Sequence, residues 1–158
     1  MPLERLVAEI GGSFGPSEPV VVDQRMIDRF AEVTGDFQWV HVDRERASRE
    51  LEGTLAHGYL ILSLIPHFVS RLLTITGVDR GVNYGLEKVR FPRPLRAGSF
   101  ATGSLRIADA RPRGAGTLLV SEMTIAEPGQ ERPVCVAETL TLLYPGDGEL
   151  GPFGDRHG

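Results

Sequence analysis

The sequence lacks paired cysteines and any long uninterrupted run of apolar residues. Its one cysteine, Cys135, excludes an intramolecular disulfide and a metal site built from several cysteines. The most apolar segment, residues 59–75, is interrupted by serine, proline, histidine and arginine, which predicts a buried core helix and not a membrane span. The first ten residues mix charged with apolar side chains, unlike a signal peptide, so we expect a cytoplasmic protein.

Neither sign of charge dominates the chain. The net charge is −4, with 41% hydrophobic and 24% charged residues, as in ordinary globular proteins. This balance gives no reason to expect binding to nucleic acid or to anionic membranes. A length of 158 residues fits one domain. We expect residues 1–144 to form it and the Gly- and Pro-rich residues 145–158 to be a disordered tail.

Hydrophobic periodicity predicts helices in the first half of the chain. Apolar residues recur at helical spacing over residues 26–33, preceded by Asp23 as a capping residue and followed by Gly35 as a stop. A short helix is predicted over residues 44–51. Pro66 is expected to kink or split the buried helix over residues 59–75.

The second half of the chain predicts long strands joined by short turns. These strands span residues 82–91, 99–110, 117–126 and 134–144. Consecutive strands of this kind favour an antiparallel meander with the buried helix covering one face, which is an α+β fold.

Asp36 and His41 lie five positions apart, directly after Gly35. On an α-helix they would point about 140° apart, so they converge only where the backbone is not helical. Two interpretations stay open. Either Asp36 caps a turn and His41 lies on the surface, or the loop folds inward with Trp39 and Val40. In the second case apolar surroundings would raise the Asp36 pKa and make it a base near neutral pH.

His57 and Gly58 stand where the apolar helix begins. The Gly58 N–H would be a free donor at the positive end of that helix, suited to a carbonyl or thioester oxygen that becomes negative. The alternatives are that Gly58 permits a tight turn and that the His57 ring holds the loop in place.

Three motifs in order resemble a known family. They are the Gly-Asp, Val-His, Asp and Ala positions of residues 35–47, Ala-His-Gly at residues 56–58, and the Arg-Phe, Pro-Leu and Gly positions of residues 90–98. Together they resemble the MaoC-like hydratases, the (R)-specific enoyl-CoA hydratase family. Trp39 and the Val-Asn-Tyr-Gly of residues 82–85 are similar to the NodN-like branch.

The resemblance implies the hot-dog fold, a long antiparallel sheet wrapped around a central helix, in a homodimer. It implies that Asp36 and His41 hold and activate a water molecule and exchange a proton with Cα of the acyl chain. It also implies that the Gly58 N–H binds the thioester oxygen. Gln38 and Trp39 stand where the family usually has Asn-Pro. Gln38 can offer a similar amide, and Trp39 is expected to narrow the acyl tunnel.

Further substrate-binding residues are predicted around this centre. His57 adjoins Gly58, while Leu62, Pro66 and Val69 are candidate walls for an acyl tail. Arg93 and Arg96 belong to a basic cluster suited to the phosphates of coenzyme A, although solvated strand-end charges are the alternative.

The resemblance therefore implies a hydratase that adds water to trans-2-enoyl-CoA and gives (R)-3-hydroxyacyl-CoA, or the reverse. A hot-dog thioesterase and a non-catalytic acyl-CoA-binding subunit are the alternatives. We expect no metal and no cofactor beyond the coenzyme A of the substrate, and no nucleic-acid or membrane partner.

Overall fold

The computed structural model describes residues 1–151 of the 158-residue chain. Within these residues the helices are a 3-10 helix at Leu3–Glu9, α1 at Gln24–Thr34, α2 at Trp39–Val42, α3 at Arg44–Leu51, α4 at Gly58–Ser63 and α5 at Ile65–Leu72. The strands are β1 at Ser13–Phe14, β2 at Val20–Val22, β3 at Ile75–Arg90, β4 at Ser99–Arg113, β5 at Gly116–Ala126 and β6 at Cys135–Leu150.

Helix α1 is capped and terminated by the residues that the sequence predicted. The Asp23 carboxylate accepts a hydrogen bond from the Met26 N–H at 2.8 Å. Gly35 has φ of 75° and donates its N–H to the Ala31 carbonyl. Glycine adopts this left-handed conformation without strain, so the chain leaves the helix directly before Asp36.

The most apolar segment forms two helices, α4 and α5, which we call the central helices. The break falls at Leu64, and Pro66 lies in the first turn of α5, where its missing N–H costs no intrahelical hydrogen bond. The predicted split is confirmed. A search of the helices in residues 1–151 finds no candidate membrane span.

The sheet is antiparallel, in the order β1–β4–β5–β6–β3, with β2 also paired to β4. The predicted meander holds for β4, β5 and β6. It was wrong for β3, which starts at Ile75 and pairs with β6. The connection from β3 to β4 leaves the sheet and contacts the segment before α4. Ala56 donates its N–H to the Leu95 carbonyl, and Ala97 donates its N–H to the Thr54 carbonyl. This connection therefore supports the segment that leads into α4.

The predicted domain boundary at residue 145 was also wrong. Strand β6 continues to Leu150, and Glu149 and Leu150 pair with Thr76 and Ile75 of β3. The glycines that suggested disorder instead permit close contact between strands. A Cβ at Gly146 would lie 2.6 Å from the Asp79 Cβ. Residues 152–158 of the predicted tail lie outside the described residues.

The contact between Phe68 and Gly103 sets how closely α5 packs on β4. Phe68 is fully buried, and a Cβ at Gly103 would lie 2.5 Å from its Cβ and Cγ. Gly103→Ala should therefore lower the free energy of unfolding by about 1–3 kcal/mol, because the core cannot take the added methyl group without shifting. Denaturant unfolding measures this change.

Gly85→Ala is the matched control for that experiment, since its Cβ would meet only Leu140 at an ordinary 3.6 Å. Equal effects of the two substitutions on stability would contradict the close packing of α5 on β4.

Candidate active site

Asp36 lies between two histidine rings in the segment that joins α1 to α2. Its Oδ2 atom is 3.9 Å from His41 Nε2 and 4.0 Å from His57 Nε2. The Asp36 side chain is 36% exposed, whereas His41 is 12% and His57 is 2% exposed. The structure thus brings these three predicted residues together, with the carboxylate facing solvent and the rings packed behind it.

A backbone contact fixes the orientation of the His41 ring. His41 Nδ1 lies 2.7 Å from the Leu55 carbonyl oxygen, which can only accept a hydrogen bond, so Nδ1 carries the proton in the neutral ring. The Leu55 N–H in turn donates to the Val40 carbonyl at 2.9 Å. His41 Nε2 is therefore left as an acceptor on the side of Asp36.

His57 packs against the His41 ring and binds the Asp36 backbone. Its ring stacks on the His41 ring, with centroids 3.7 Å apart and 23° between the planes. Its Nε2–H donates to the Asp36 backbone carbonyl at 3.0 Å. The ring of Phe30 packs against it at 5.1 Å. These contacts hold both the backbone of Asp36 and the ring of His41.

Gln38 binds the Asp36 carboxylate from the opposite side. Its backbone N–H and its side-chain Nε2 both donate to Asp36 Oδ1, at 3.4 and 3.2 Å. Because both donors use Oδ1, the Oδ2 atom remains directed towards the histidines. The Gln38 amide thus contacts the predicted base, and its equivalence to the family's asparagine stays a prediction.

The pKa of Asp36 is shifted downwards, so the expectation of a raised value was wrong. Partial desolvation raises the pKa, but the hydrogen bonds from Gln38 and the nearby His41 and His57 together outweigh it. The carboxylate is exposed enough for these local donors to decide the direction of the shift.

Gly58 is the first residue of α4, so its N–H has no acceptor within that helix. The Phe91 ring covers its Cα. A Cβ at this position would lie 3.0–3.2 Å from three ring carbons. The ring of Tyr59 meets Phe91 edge-on at 6.1 Å. A side chain at residue 58 would therefore displace Phe91, which explains the glycine in physical terms.

Two supporting residues were missed by the sequence analysis. Gln24, at the start of α1, donates through Nε2 to the His41 carbonyl and to Asp28, each at 2.8 Å. The buried Thr54 hydroxyl donates to the Gln24 side-chain oxygen. No spacing pattern connects residues 24, 41 and 54, so the sequence offered no signal for this network.

The three predicted acyl-chain residues share one cavity. Leu62, Pro66 and Val69 line a cavity of about 560 Å³ between the central helices and the sheet. Trp39 does not line it. The Arg46 guanidinium instead lies 3.9 Å above the Trp39 ring, and a role of Trp39 in narrowing the acyl tunnel stays a prediction.

The two predicted phosphate-binding arginines already have acidic or carbonyl partners. Arg93 forms an ion pair with Glu127, whose pKa is lowered mainly by that hydrogen bond. Arg96 donates to the Leu51 carbonyl and to Glu52 at the end of α3. Both guanidinium groups therefore stabilise loops of the fold, and a phosphate would have to compete with these partners.

Asp36, His41 and His57 are also the residue types that bind metal ions, and their ligand atoms lie within 4.8 Å of one another. The ring geometry is poor for one shared ion. A metal lies close to the plane of each imidazole that binds it, but these two planes are nearly parallel and their centroids are 3.7 Å apart.

Comparison with known proteins shows the family to which this chain belongs. The MaoC like domain matches residues 5–122. This chain belongs to the MaoC-like dehydratase family. It is 39% identical over 137 residues to 3-hydroxyacyl-thioester dehydratase Z of Mycobacterium tuberculosis, covering 85% of this chain and 91% of that protein.

Two further proteins resemble this MaoC-like chain, one in sequence and one in fold. Nodulation protein N of Rhizobium leguminosarum bv. viciae is 39% identical over 140 residues, covering 86% of this chain and 87% of that protein. The (R)-hydratase from A. caviae involved in PHA biosynthesis superposes with a TM-score of 0.69 at 19% identity, covering 84% of this chain and 95% of that chain. The predicted hot-dog fold and the NodN-like resemblance are confirmed.

The hydrogen bonds to Asp36 predict how its ionisation affects stability and how its pKa depends on Gln38. Because the folded-state pKa lies below the unfolded value, ionised Asp36 favours the folded chain above about pH 4. This contribution is lost as the pH falls through the folded-state pKa. Gln38→Ala should raise the Asp36 pKa towards its ordinary value, because one of the two donors to Oδ1 is lost.

Carboxyl carbon chemical shifts followed by NMR measure this pKa. Gln130→Ala, in an exposed turn, is the control and should leave the Asp36 pKa unchanged. An Asp36 pKa above its ordinary value in the unmodified protein would show that burial, and not hydrogen bonding, sets the charge of this residue.

Proposed function

We propose that this protein adds water to trans-2-enoyl-CoA to give (R)-3-hydroxyacyl-CoA, or catalyses the reverse dehydration. The observation that carries the proposal is the distance of 3.9 Å between Asp36 Oδ2 and His41 Nε2. That is too long for a direct hydrogen bond, yet one water oxygen at about 2.8 Å can contact both atoms. Both are acceptors, so they would hold the two protons of that water.

The reaction then needs only proton transfer and charge stabilisation. Asp36 takes one water proton as the oxygen bonds to Cβ of the enoyl chain, and electrons move through the double bond to the thioester oxygen. The Gly58 N–H donates to that oxygen as it becomes negative. The proton held by Asp36 passes to Cα, which restores the thioester and leaves the hydroxyl group on Cβ.

The pKa of Asp36 is lowered further from an ordinary value that is already acidic, so the carboxylate is ionised at neutral pH and ready to accept a proton. When a bound thioester excludes solvent, desolvation would raise that pKa and strengthen the base. The thioester itself acidifies Cα, so the proposed mechanism uses no metal or redox cofactor.

We also propose that two copies of the chain associate through β3. Within residues 1–151 this strand lies at the end of the sheet order, so one of its edges lacks a partner strand. Val82, Tyr84 and Leu86 on β3 are 44%, 48% and 46% exposed. An unpaired strand edge that also exposes apolar side chains favours pairing with the same edge of a second copy.

Sedimentation equilibrium should therefore give twice the chain mass of 17.3 kDa. Leu86→Lys should weaken the association, because it places a charge in the proposed contact. A monomer at micromolar concentration in the unmodified protein would contradict this interface.

An assay with crotonyl-CoA tests the proposed reaction. We expect loss of enoyl absorbance without release of free thiol. Thiol release would instead identify a thioesterase, and saturable binding without either signal would identify a binding subunit. Asp36→Asn should lower turnover by about 10²–10⁴-fold, because the amide cannot accept the proton.

Asp109→Asn is the matched control, since its side chain is 37% exposed, close to the 36% of Asp36, and it pairs with Arg111 on β4. It should retain full turnover. Activity that persists in folded Asp36→Asn would contradict the assignment of the base.

A further inference from the structure

The cavity beside the central helices has a near end and a far end relative to Gly58. Leu62 lines it and is four residues along α4 from Gly58, about 6 Å along the helix axis. Pro66 and Val69 follow on α5, and Leu73 and Ile75 line the cavity beyond the end of that helix. The cavity therefore runs along the central helices, away from the Gly58 N–H.

The end of strand β6 lies at the far end of this cavity. Leu150 pairs with Ile75 in the register of β6 and β3, and both residues line the cavity. The Leu150 side chain packs against the core. A Cβ at Gly81 of β3 would lie only 2.6 Å from Leu150 Cδ1. The Leu150 side chain thus occupies the space over the Gly81 backbone, and a side chain at residue 81 would clash with it.

The strand pairing holds this leucine in position. Glu149 pairs with Thr76, next to the pair of Leu150 with Ile75. Gly148 lies against the β3 backbone, where a Cβ would be 2.7 Å from the Val78 carbonyl oxygen. The segment that carries Leu150 is therefore anchored by backbone contacts on β3.

We infer that Leu150 determines the longest acyl chain that the protein accepts. The inference rests on the proposed function, because the ligand of the cavity is taken to be the acyl tail of a thioester held at Gly58. A tail that extends along Leu62, Pro66 and Val69 meets the Leu150 side chain at the far end. Shortening this side chain lengthens the cavity, and enlarging it shortens the cavity.

The test compares trans-2-enoyl-CoA substrates of four to twelve carbons. Leu150→Ala removes three carbon atoms, so the optimum of kcat/KM should move to substrates about two carbons longer. Because each buried methylene group changes affinity by about fourfold, the relative gain for such a substrate is about 16-fold. Leu150→Phe should move the optimum to shorter chains.

Leu72→Ala is the matched control. It makes the same deletion at a partly buried leucine of α5 that packs on the core and does not line the cavity. It should leave the chain-length optimum unchanged, whatever it does to stability. Equal profiles for Leu150→Ala and the unmodified protein, or equal shifts in Leu150→Ala and Leu72→Ala, would overturn the inference.

Binding of saturated acyl-CoAs, measured by calorimetry, separates this inference from the proposed reaction. If the unmodified protein hydrates no enoyl-CoA, the proposed function fails. The inference then still holds if acyl-CoAs bind and Leu150→Ala moves the preferred length upwards. Absence of binding, or binding without dependence on length, would contradict the inference as well.

Discussion

The site depends on one short backbone segment, residues 54–57, being held on both sides. On one side the Leu55 carbonyl accepts from His41 Nδ1 and the Leu55 N–H donates to Val40. On the other side Ala56 and Thr54 pair with the loop before β4. The segment therefore fixes the position of the His41 ring relative to the start of α4, where the Gly58 N–H lies.

The end of α1 explains how Asp36 and His41, five residues apart, can belong to one site. Gly35 ends α1 in a left-handed conformation, and the chain remains non-helical until α2 begins at Trp39. Asp36 thus lies outside both helices while His41 lies inside α2. His57 then fills the space behind them, stacked on His41 and bonded to the Asp36 backbone.

Much of this was accessible from the sequence, for physical reasons that are local. Asp23, Gly35 and Pro66 act through their own backbone neighbours, so their effects on the helices were predicted. The ordered motifs identified Asp36 and His41 as a pair, which spacing alone left open. The downward shift of the Asp36 pKa was also a local effect, because Gln38 is only two residues away, but the prediction considered burial alone.

Contacts between distant parts of the chain were not predictable. The pairing of β3 with β6 depends on a connection that leaves the sheet, and the strand at residues 145–150 depends on β3. The glycines of residues 145–150 suggest disorder, because the sequence does not show that this segment pairs with β3. The stacking of His57 on His41 and the bonds of Gln24 likewise depend on how α1, α2 and α4 pack together.

The most direct test is a crystal structure of Asp36→Asn with crotonyl-CoA bound. We expect the thioester oxygen within about 2.6–3.2 Å of the Gly58 N atom, with Cβ facing the gap between residue 36 and His41 Nε2. The acyl tail should point along Leu62 towards Leu150. A thioester bound elsewhere, or with Cβ turned away from that gap, would contradict the proposed site.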